Sequence, residues 1–343
     1  MSARVIGPIT LLILLACGTC YSSPASDHPC ATYDQAFMGR VGTHFCFDQA
    51  EVILYGATIY PYWQHNGTTY RSQAWLQPDF PTYIDSILDM AQEANLNTLR
   101  VTDYLNIDRS WDNPKIWKNM DYLIQQAEQR GIWIILDLSA YRKWLENRGL
   151  QFWYNPSDWL LFIAWITERY QDSPAIAHYS IAGEIIAPDH GTVTSEQYVR
   201  FFKRILEALY DGDAGNHLIS IGGLSYLNQN AGIPWRELYS LPHNSIAAIH
   251  VYSGGDRTVT LPMVAGWSAA NDLPFLIEEF GFQQNQGDSQ RANNFQNIFN
   301  LARAHGAAGT IFWNLGTEIL ERSYDVNQNT PLVWQIIQSS SSR

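Results

Sequence analysis

The fold is indicated by a unit of the sequence that spans residues 117–138, WKNMDYLIQQAEQRGIWIILDL. Its first part, Trp117 to Arg130, carries apolar residues at helical spacing and ends before Gly131, which is a helix stop signal. Its second part, Trp133 to Leu138, is a nearly continuous apolar run, as is typical of parallel strands buried on both faces. The unit therefore predicts a helix followed by a buried strand.

The same alternation recurs along the chain. Eight apolar runs predict strands at Val52–Ile59, Thr98–Thr102, Trp133–Leu138, Ala177–Ala182, Leu218–Ile221, Ser245–Val251, Pro274–Glu279 and Gly309–Trp313. Helical patterns cover Phe80–Ala94, Trp117–Arg130, Ser157–Tyr170, Thr194–Tyr210, Ser289–His305 and Pro331–Ser339, and the signal is weaker after the fifth and sixth strands. Strand followed by helix, eight times, predicts an α/β fold, a (β/α)8 TIM barrel. An open doubly wound sheet is the alternative, but no Gly-rich phosphate loop follows the first strand.

The domain organisation is predicted to be simple. Residues 1–25 are expected to be a signal, residues 26–338 a single barrel domain, and residues 339–343 a disordered tail. The segment Gly39–Glu51 predicts a short N-terminal hairpin that closes the barrel floor.

The first 25 residues have the layout of an export signal. Arg4 precedes the short apolar run Ile9–Ala16, which is too short to span a bilayer. Leu14–Cys17 resembles the lipobox of bacterial lipoproteins, which would place a lipid anchor on Cys17. Alternatively, an ordinary signal peptidase cuts within Ser22–Ser26. Either route predicts a secreted or cell-surface protein.

The four cysteines bear on that choice. An ordinary cut would leave only Cys30 and Cys46, which could form one disulfide in an oxidising compartment. Lipidation would instead leave Cys20 as an odd thiol.

Composition excludes several classes of function. The net charge is −12, and Lys and Arg form no dense cluster, so a nucleic-acid partner is disfavoured. No His, Cys or carboxylate cluster has metal-ligand spacing, and no Gly-x-Ser-x-Gly elbow is present. We therefore expect a protein that needs neither metal nor cofactor. We also expect it to be a monomer.

Two carboxylates stand at the ends of predicted strands. Glu184 ends the fourth strand and Glu279 the seventh, so the two should face each other across the barrel mouth. Retaining glycoside hydrolysis needs two carboxyl groups about 5 to 5.5 Å apart. One carboxyl must be protonated and the other ionised, and close carboxylates push their pKa values apart.

The seventh strand, PFLIEEFG at Pro274–Gly281, is similar to the nucleophile strand of glycoside hydrolase family 5, the cellulase and β-mannanase family. The resemblance extends from about Gly42 to Trp334. It implies that Glu279, directly before the aromatic-Gly pair, is the nucleophile and that Glu184 is the acid/base. Glu278 should point behind the strand, because successive side chains of a strand alternate.

Other strands carry motifs of the same family. Arg100 matches the second-strand arginine that braces the nucleophile, and His250 and Tyr252 match the sixth-strand His-x-Tyr. Trp313 matches the eighth-strand tryptophan that floors the subsite of the cleaved sugar. The first strand, which leads to Trp63, resembles that of the mannanase-like branch. The resemblance implies a polysaccharide or oligosaccharide substrate that these residues bind.

One position departs from the family pattern. The fourth strand normally reads Asn-Glu-Pro, but here it reads Gly183-Glu184-Ile185. The missing Asn usually hydrogen-bonds the sugar 2-hydroxyl, a contact that strengthens in the transition state. Two functions follow: a retaining hydrolase of β-1,4-mannan or a related β-glucan, or a catalytically weak or inactive barrel that binds carbohydrate at the cell surface.

Flat aromatic side chains are candidate sugar platforms. Trp63, Trp144 and Trp153 stand in segments that could border the cleft.

Overall fold

The computed structural model describes residues 28–66, 68–104, 113–139, 151–185, 193–225, 232–318 and 320–340. The strands, in chain order, are β1 Gly39–Val41, β2 His44–Phe47, β3 Ala50–Val52, β4 Leu54–Ile59, β5 Trp63–His65, β6 Thr68–Tyr70, β7 Thr98–Val101, β8 Trp133–Asp137, β9 Ile176–Ser180, β10 Glu184–Ile185, β11 Leu218–Ser220, β12 Gly223–Leu224, β13 Ala247–Val251, β14 Phe275–Phe280 and β15 Gly309–Leu315. The helices are α1 Phe80–Glu93, α2 Pro114–Gln129, α3 Gln151–Tyr154, α4 Ser157–Tyr170, α5 Ser195–Gly212, α6 Trp235–Tyr239, α7 Leu261–Ala270, α8 Asp288–Ala304 and α9 Pro331–Ser340. Short 3-10 turns lie at Ser72–Leu76 and Gln284–Gln286, and a π-helical turn lies at Asp256–Thr260.

Ten strands form one parallel sheet in the order β10-β12-β13-β14-β15-β4-β7-β8-β9-β11. β10 continues β9 after a break of three residues, and β12 continues β11 after a break of two. The two ends of the order therefore belong to the same pair of strands. Backbone hydrogen bonds from Ile181 to Ser220 and from Gly223 to Gly183 bridge the breaks. The sheet is closed, and the predicted (β/α)8 barrel is confirmed.

The core has two layers, because side chains alternate between the inside of the barrel and the helices around it. Inside the lower barrel lie Leu54, Ile135, Ala177, Leu218, Ala248, Leu276 and Ile311. The antiparallel sheet β1-β2-β3 packs Met38, Phe45 and Val52 against this inner cluster. The predicted hairpin thus closes the floor and leaves the opposite end of the barrel to carry the site. Val52 belongs to the floor, and the first barrel strand begins at Leu54.

Helix ends differ modestly from the predictions. α2 begins earlier than predicted, at Pro114, because the Asn113 side chain caps it by accepting a hydrogen bond from the Lys115 backbone. The weak patterns after the fifth and sixth strands correspond to the short α6 and to the π-helical turn that runs into α7.

The predicted tail is partly wrong. Ser339 and Ser340 form the end of α9, which is held to the barrel by the Tyr55 hydroxyl donating to the Ile337 carbonyl at 2.9 Å. Residues 341–343 lie outside the described part of the chain.

The N-terminal segment is tied to the floor by a disulfide. Cys30 and Cys46 are bonded, with Cα atoms 5.4 Å apart. Cys17, Cys20 and the rest of the predicted signal lie outside the described residues. Among the described residues, no helix combines the length and apolar character that crossing a bilayer requires.

Candidate active site

Glu279 lies at the end of β14 with both carboxylate oxygens bonded. Arg100 on β7 donates from Nη1 to Oε2 at 2.6 Å, and the Tyr252 hydroxyl donates to Oε1, also at 2.6 Å. Burial, with Glu279 beside it, raises the pKa of Tyr252 well above its ordinary value, so the phenol keeps the proton that it donates. Glu279 is therefore fixed in one orientation.

Arg100 is itself held from below. Its Nη2 pairs with Asp137 at the end of β8, and Arg100 and Asp137 are both buried. Burial would lower the pKa of Arg100, but Asp137, Glu279 and Glu278 together raise it above its ordinary value. The guanidinium stays charged and bridges two carboxylates. Asp137 lies near the end of the predicted strand Trp133–Leu138, but the sequence indicated no role for it, since its partner Arg100 lies on another strand.

His250 lies between the two carboxylates named from the sequence. Its Nδ1 is 3.2 Å from Oε1 of Glu184 and 3.7 Å from Oε2 of Glu279. Gly223 makes room for the ring, because a Cβ there would stand 2.1 Å from the His250 Cδ2. Burial would lower the pKa of His250, but Glu279, Glu184 and Glu278 raise it to about 10. The ring is therefore an imidazolium that donates to the carboxylates.

The expectation that the Glu278 side chain points behind the strand is wrong. It is buried inside the barrel, with Oε2 3.3 Å from Nε2 of His250 and Oε1 3.7 Å from Nε2 of His178. The reason is a bulge in the pairing of β13 with β14, where Ile249 pairs with Ile277 but His250 pairs with Glu279. Such a bulge interrupts the alternation of side chains. Burial would raise the pKa of Glu278, but His178, His250 and Arg100 lower it below its ordinary value.

The barrel mouth brings the predicted carboxylate pair together. Glu184, His250 and Glu279 each offer one oxygen or nitrogen atom, and these atoms all lie within 4.8 Å of one another. Glu184 is the more accessible carboxylate, with 23% of its side chain exposed against 11% for Glu279. Three such atoms could also hold a metal ion, an arrangement hidden from sequence spacing because the residues come from three separate strands. The spacing of the carboxylates is compatible with two-carboxylate glycoside chemistry.

The space beside Gly183 is filled. Gly183 has φ +58, and a Cβ on it would lie 2.8 Å from the Ser139 Cβ, 2.9 Å from the Ser139 Oγ and 3.0 Å from Oδ2 of Asp137. The glycine therefore serves a left-handed turn that two neighbouring side chains crowd. The Asn of the family pattern has no room here.

The aromatic residues proposed from the sequence as sugar-binding platforms lie in different environments. Trp313 on β15 is half-buried with its ring 4.9 Å from the Tyr60 ring, and the peptide bond that follows it is cis. Trp153 is buried against Tyr198 and Phe201, so it is core and not a sugar platform. Trp63 begins β5 at the mouth side of β4, but its side chain and all of Trp144 lie outside the described part of the structure.

The charged state of His250 predicts a pH-dependent stability. Its raised pKa contributes stability that is complete below its unfolded value of 6.5 and is lost as pH rises through about 10. Wild type should therefore be more stable than His250→Gln at pH 6. The difference between their free energies of unfolding should shrink by on the order of a few kcal/mol between pH 6 and pH 10. Urea unfolding at several pH values measures it. His305→Gln, at the exposed end of α8, is the matched control. A constant His250→Gln difference across this range would contradict the assignment.

The crowding at Gly183 predicts that restoring the family residue is harmful. Gly183→Asn should lower stability by about 1–3 kcal/mol and reduce kcat/KM, because the new side chain displaces Ser139 and Asp137. Thermal unfolding and activity assays measure both effects. Gly183→Ala is the matched control, since it adds the same Cβ without the amide. Higher activity in Gly183→Asn than in wild type, but not in Gly183→Ala, would show that the amide fits after all.

Comparison with known proteins extends these observations. Residues 56–318 match the family model described as cellulase, glycosyl hydrolase family 5. The chain is 21% identical over 290 residues to mannan endo-1,4-beta-mannosidase A of Podospora anserina, an alignment that covers 69% of this chain and 74% of that protein.

Solved structures share the fold. An endo-1,4-beta-mannanase from Rhizomucor miehei superposes with a TM-score of 0.72 at 16% identity, covering 90% of this chain and 100% of that one. An endo-beta-1,4-mannanase from Thermotoga petrophila gives 0.65 at 15% identity, covering 85% and 77%. Thermotoga maritima Cel5A in complex with a mannotriose substrate gives 0.55 at 16% identity, covering 83% and 97%.

Proposed function

Because the chain belongs to glycosyl hydrolase family 5 and is a glycoside hydrolase, we propose that it cleaves β-1,4-linked mannan or a related β-glucan with retention of configuration. The observation that carries the proposal is the approach of Glu184 and Glu279 to within 4.8 Å through their carboxylate oxygens. This approach of the oxygens fits the closer carboxyl spacing of retaining enzymes better than the wider spacing of inverting ones.

The contacts of each carboxylate support different roles. Glu279 accepts hydrogen bonds from Arg100 and Tyr252, which hold it in the orientation of a nucleophile. Glu184 is more exposed, so it can reach both the leaving oxygen and water. We assign Glu279 as nucleophile and Glu184 as acid/base.

The reaction then proceeds in two displacements. Protonated Glu184 gives its proton to the glycosidic oxygen while Glu279 attacks the anomeric carbon, and the carbon–oxygen bond to the leaving sugar breaks. The product is a glycosyl ester on Glu279. Glu184 next takes a proton from water, whose oxygen attacks the anomeric carbon and releases the Glu279 carboxylate. Trp313, half-buried at the mouth beside Tyr60, supplies an apolar face on which the sugar ring packs.

The preference for mannan rests on the relatives. The Podospora anserina protein is named as a mannan endo-1,4-beta-mannosidase, and the Thermotoga maritima enzyme was solved with mannotriose. Sugar choice depends on side chains that border the cleft.

A substrate panel with product stereochemistry tests the proposal. Wild type is assayed on mannan, glucomannan, cellulose and xylan, and NMR follows the anomer that forms first. We expect turnover of a β-1,4-linked mannan or glucan with the β-anomer as the first product. An initial α-anomer would overturn the retaining mechanism. Binding of these polysaccharides without turnover would favour the alternative, a barrel kept for carbohydrate binding.

We also propose that the protein is exported and acts outside the cytoplasm. The apolar run Ile9–Ala16 and the Cys30–Cys46 disulfide both support export into an oxidising compartment. Mass spectrometry of the mature N-terminus distinguishes the two processing routes. A lipid-modified Cys17 would identify a lipoprotein, and an unmodified N-terminus within residues 22–26 would identify ordinary signal cleavage.

A further inference from the structure

The missing fourth-strand Asn raises the question of which group binds the 2-hydroxyl of the sugar. We propose that the Ser139 hydroxyl binds the 2-hydroxyl of the sugar whose glycosidic bond is cleaved, and so replaces the side chain absent at Gly183. This inference rests on the proposed function.

Ser139 lies where residue 183 would project a side chain. The direction in which residue 183 would project a side chain leads to Ser139, whose Cβ and Oγ stand 2.8 and 2.9 Å from an added Cβ. The next residue, Glu184, carries the proposed acid/base. Ser139 is half-buried and follows β8 at the end of the barrel that also carries Glu279.

Contacts with Asp137 and Thr102 hold Ser139 in place. The Ser139 backbone N–H donates at 2.7 Å to Oδ1 of Asp137, the carboxylate that pairs with Arg100. Thr102 offers a further hydroxyl 3.5 Å from the Ser139 Oγ. A hydroxyl has one donor hydrogen and two acceptor lone pairs, so the Ser139 hydroxyl can donate to a neighbouring oxygen and accept at the same time. Its lone pairs then remain available to accept a hydrogen bond from a sugar hydroxyl.

Ser139 is connected to the nucleophile through Asp137 and Arg100. Asp137 pairs with Arg100, and Arg100 donates to Glu279. In the sugar, C2 is bonded to the anomeric carbon that Glu279 attacks, so the 2-hydroxyl must lie close to this same group of side chains. A hydrogen bond from the 2-hydroxyl to Ser139 would join a continuous polar chain ending at the nucleophile. The protein is therefore expected to accept substrates whose 2-hydroxyl is unsubstituted.

The test separates loss of this contact from general damage. Two chromogenic β-mannobiosides are used, one complete and one lacking the 2-hydroxyl on the sugar that carries the leaving group. Wild type, Ser139→Ala and Ser139→Thr are compared by kcat/KM on each. We expect Ser139→Ala to lose about 10- to 100-fold on the complete substrate and less than about two-fold on the 2-deoxy substrate. Ser139→Thr keeps the hydroxyl, so on the complete substrate it should retain much more activity than Ser139→Ala.

Each result decides a specific statement. Equal losses on both substrates, or no loss on either, would overturn the role of Ser139 while leaving the proposed function intact. Failure of wild type to cleave the complete mannobioside and every polysaccharide of the panel would overturn the proposed function, and the inference with it.

Discussion

Replacing Glu279 by alanine should lower kcat/KM by about 10⁴-fold or more on an activated aryl β-mannobioside, because the glycosyl ester forms on the Glu279 carboxylate. Added azide should restore turnover, since a small anion can enter the space of the missing carboxylate and attack the anomeric carbon from the same side. The product expected is an α-glycosyl azide, which NMR identifies. Folding of the variant is checked by thermal unfolding.

Two matched variants make this assignment specific. Glu278→Gln alters the adjacent buried glutamate and keeps the nucleophile, so azide should have no effect on it. Glu184→Ala should instead yield a β-glycosyl azide, because azide then attacks the glycosyl ester in place of water. If azide rescued Glu278→Gln and left Glu279→Ala inactive, the nucleophile would be Glu278.

Replacing Arg100 by methionine should be the most destabilising single change at the site. Arg100 is 2% exposed and pairs with both Asp137 and Glu279, so its loss leaves two carboxylates without their shared cation. Breaking a buried ion pair in this way costs about 3–5 kcal/mol. Activity should fall as well, because Glu279 loses one of its two bracing hydrogen bonds. Urea unfolding and kcat/KM measure the two effects.

Two controls distinguish the effect of leaving carboxylates without a cation from the effect of losing the packing of the Arg100 side chain. Arg100→Met combined with Asp137→Asn removes one stranded carboxylate and should recover part of the lost stability, with activity still low. Arg200→Met breaks an exposed pair with Glu196 on α5 and should cost less than about 1 kcal/mol. A loss for Arg100→Met as small as that for Arg200→Met would show that the buried pair contributes little.

Much of the fold could be predicted because its signals are local. All eight barrel strands lie where apolar runs predicted them, and five of the six predicted helices start and end within two residues of the observed bounds. The exception, α2, starts at a side-chain cap and a proline that the apolar pattern does not include. The hairpin β5–β6 was missed, since its short strands carry no apolar run.

The site was only partly predictable. Strand ends indicated Glu184 and Glu279, and the family resemblance implied Arg100 and His250; the structure brings the four together. Alternation failed at Glu278, because a bulge in its pairing with β13 is a property of two strands and not of one. Trp153 was a candidate platform, but the aromatic residues that bury it come from α5, more than forty positions away.

The amino-acid sequence by itself determined the order of strands and helices, the closed parallel barrel and the two carboxylates at strand ends. Hydrophobic periodicity and strand-end position are local properties, so a single chain segment carries them. Only the tertiary structure decided how Asp137 and Tyr252 hold the Arg100–Glu279 pair, why His250 stays charged, and what fills the space beside Gly183. Those features depend on distances and burial between side chains from different strands, which are set when the barrel closes.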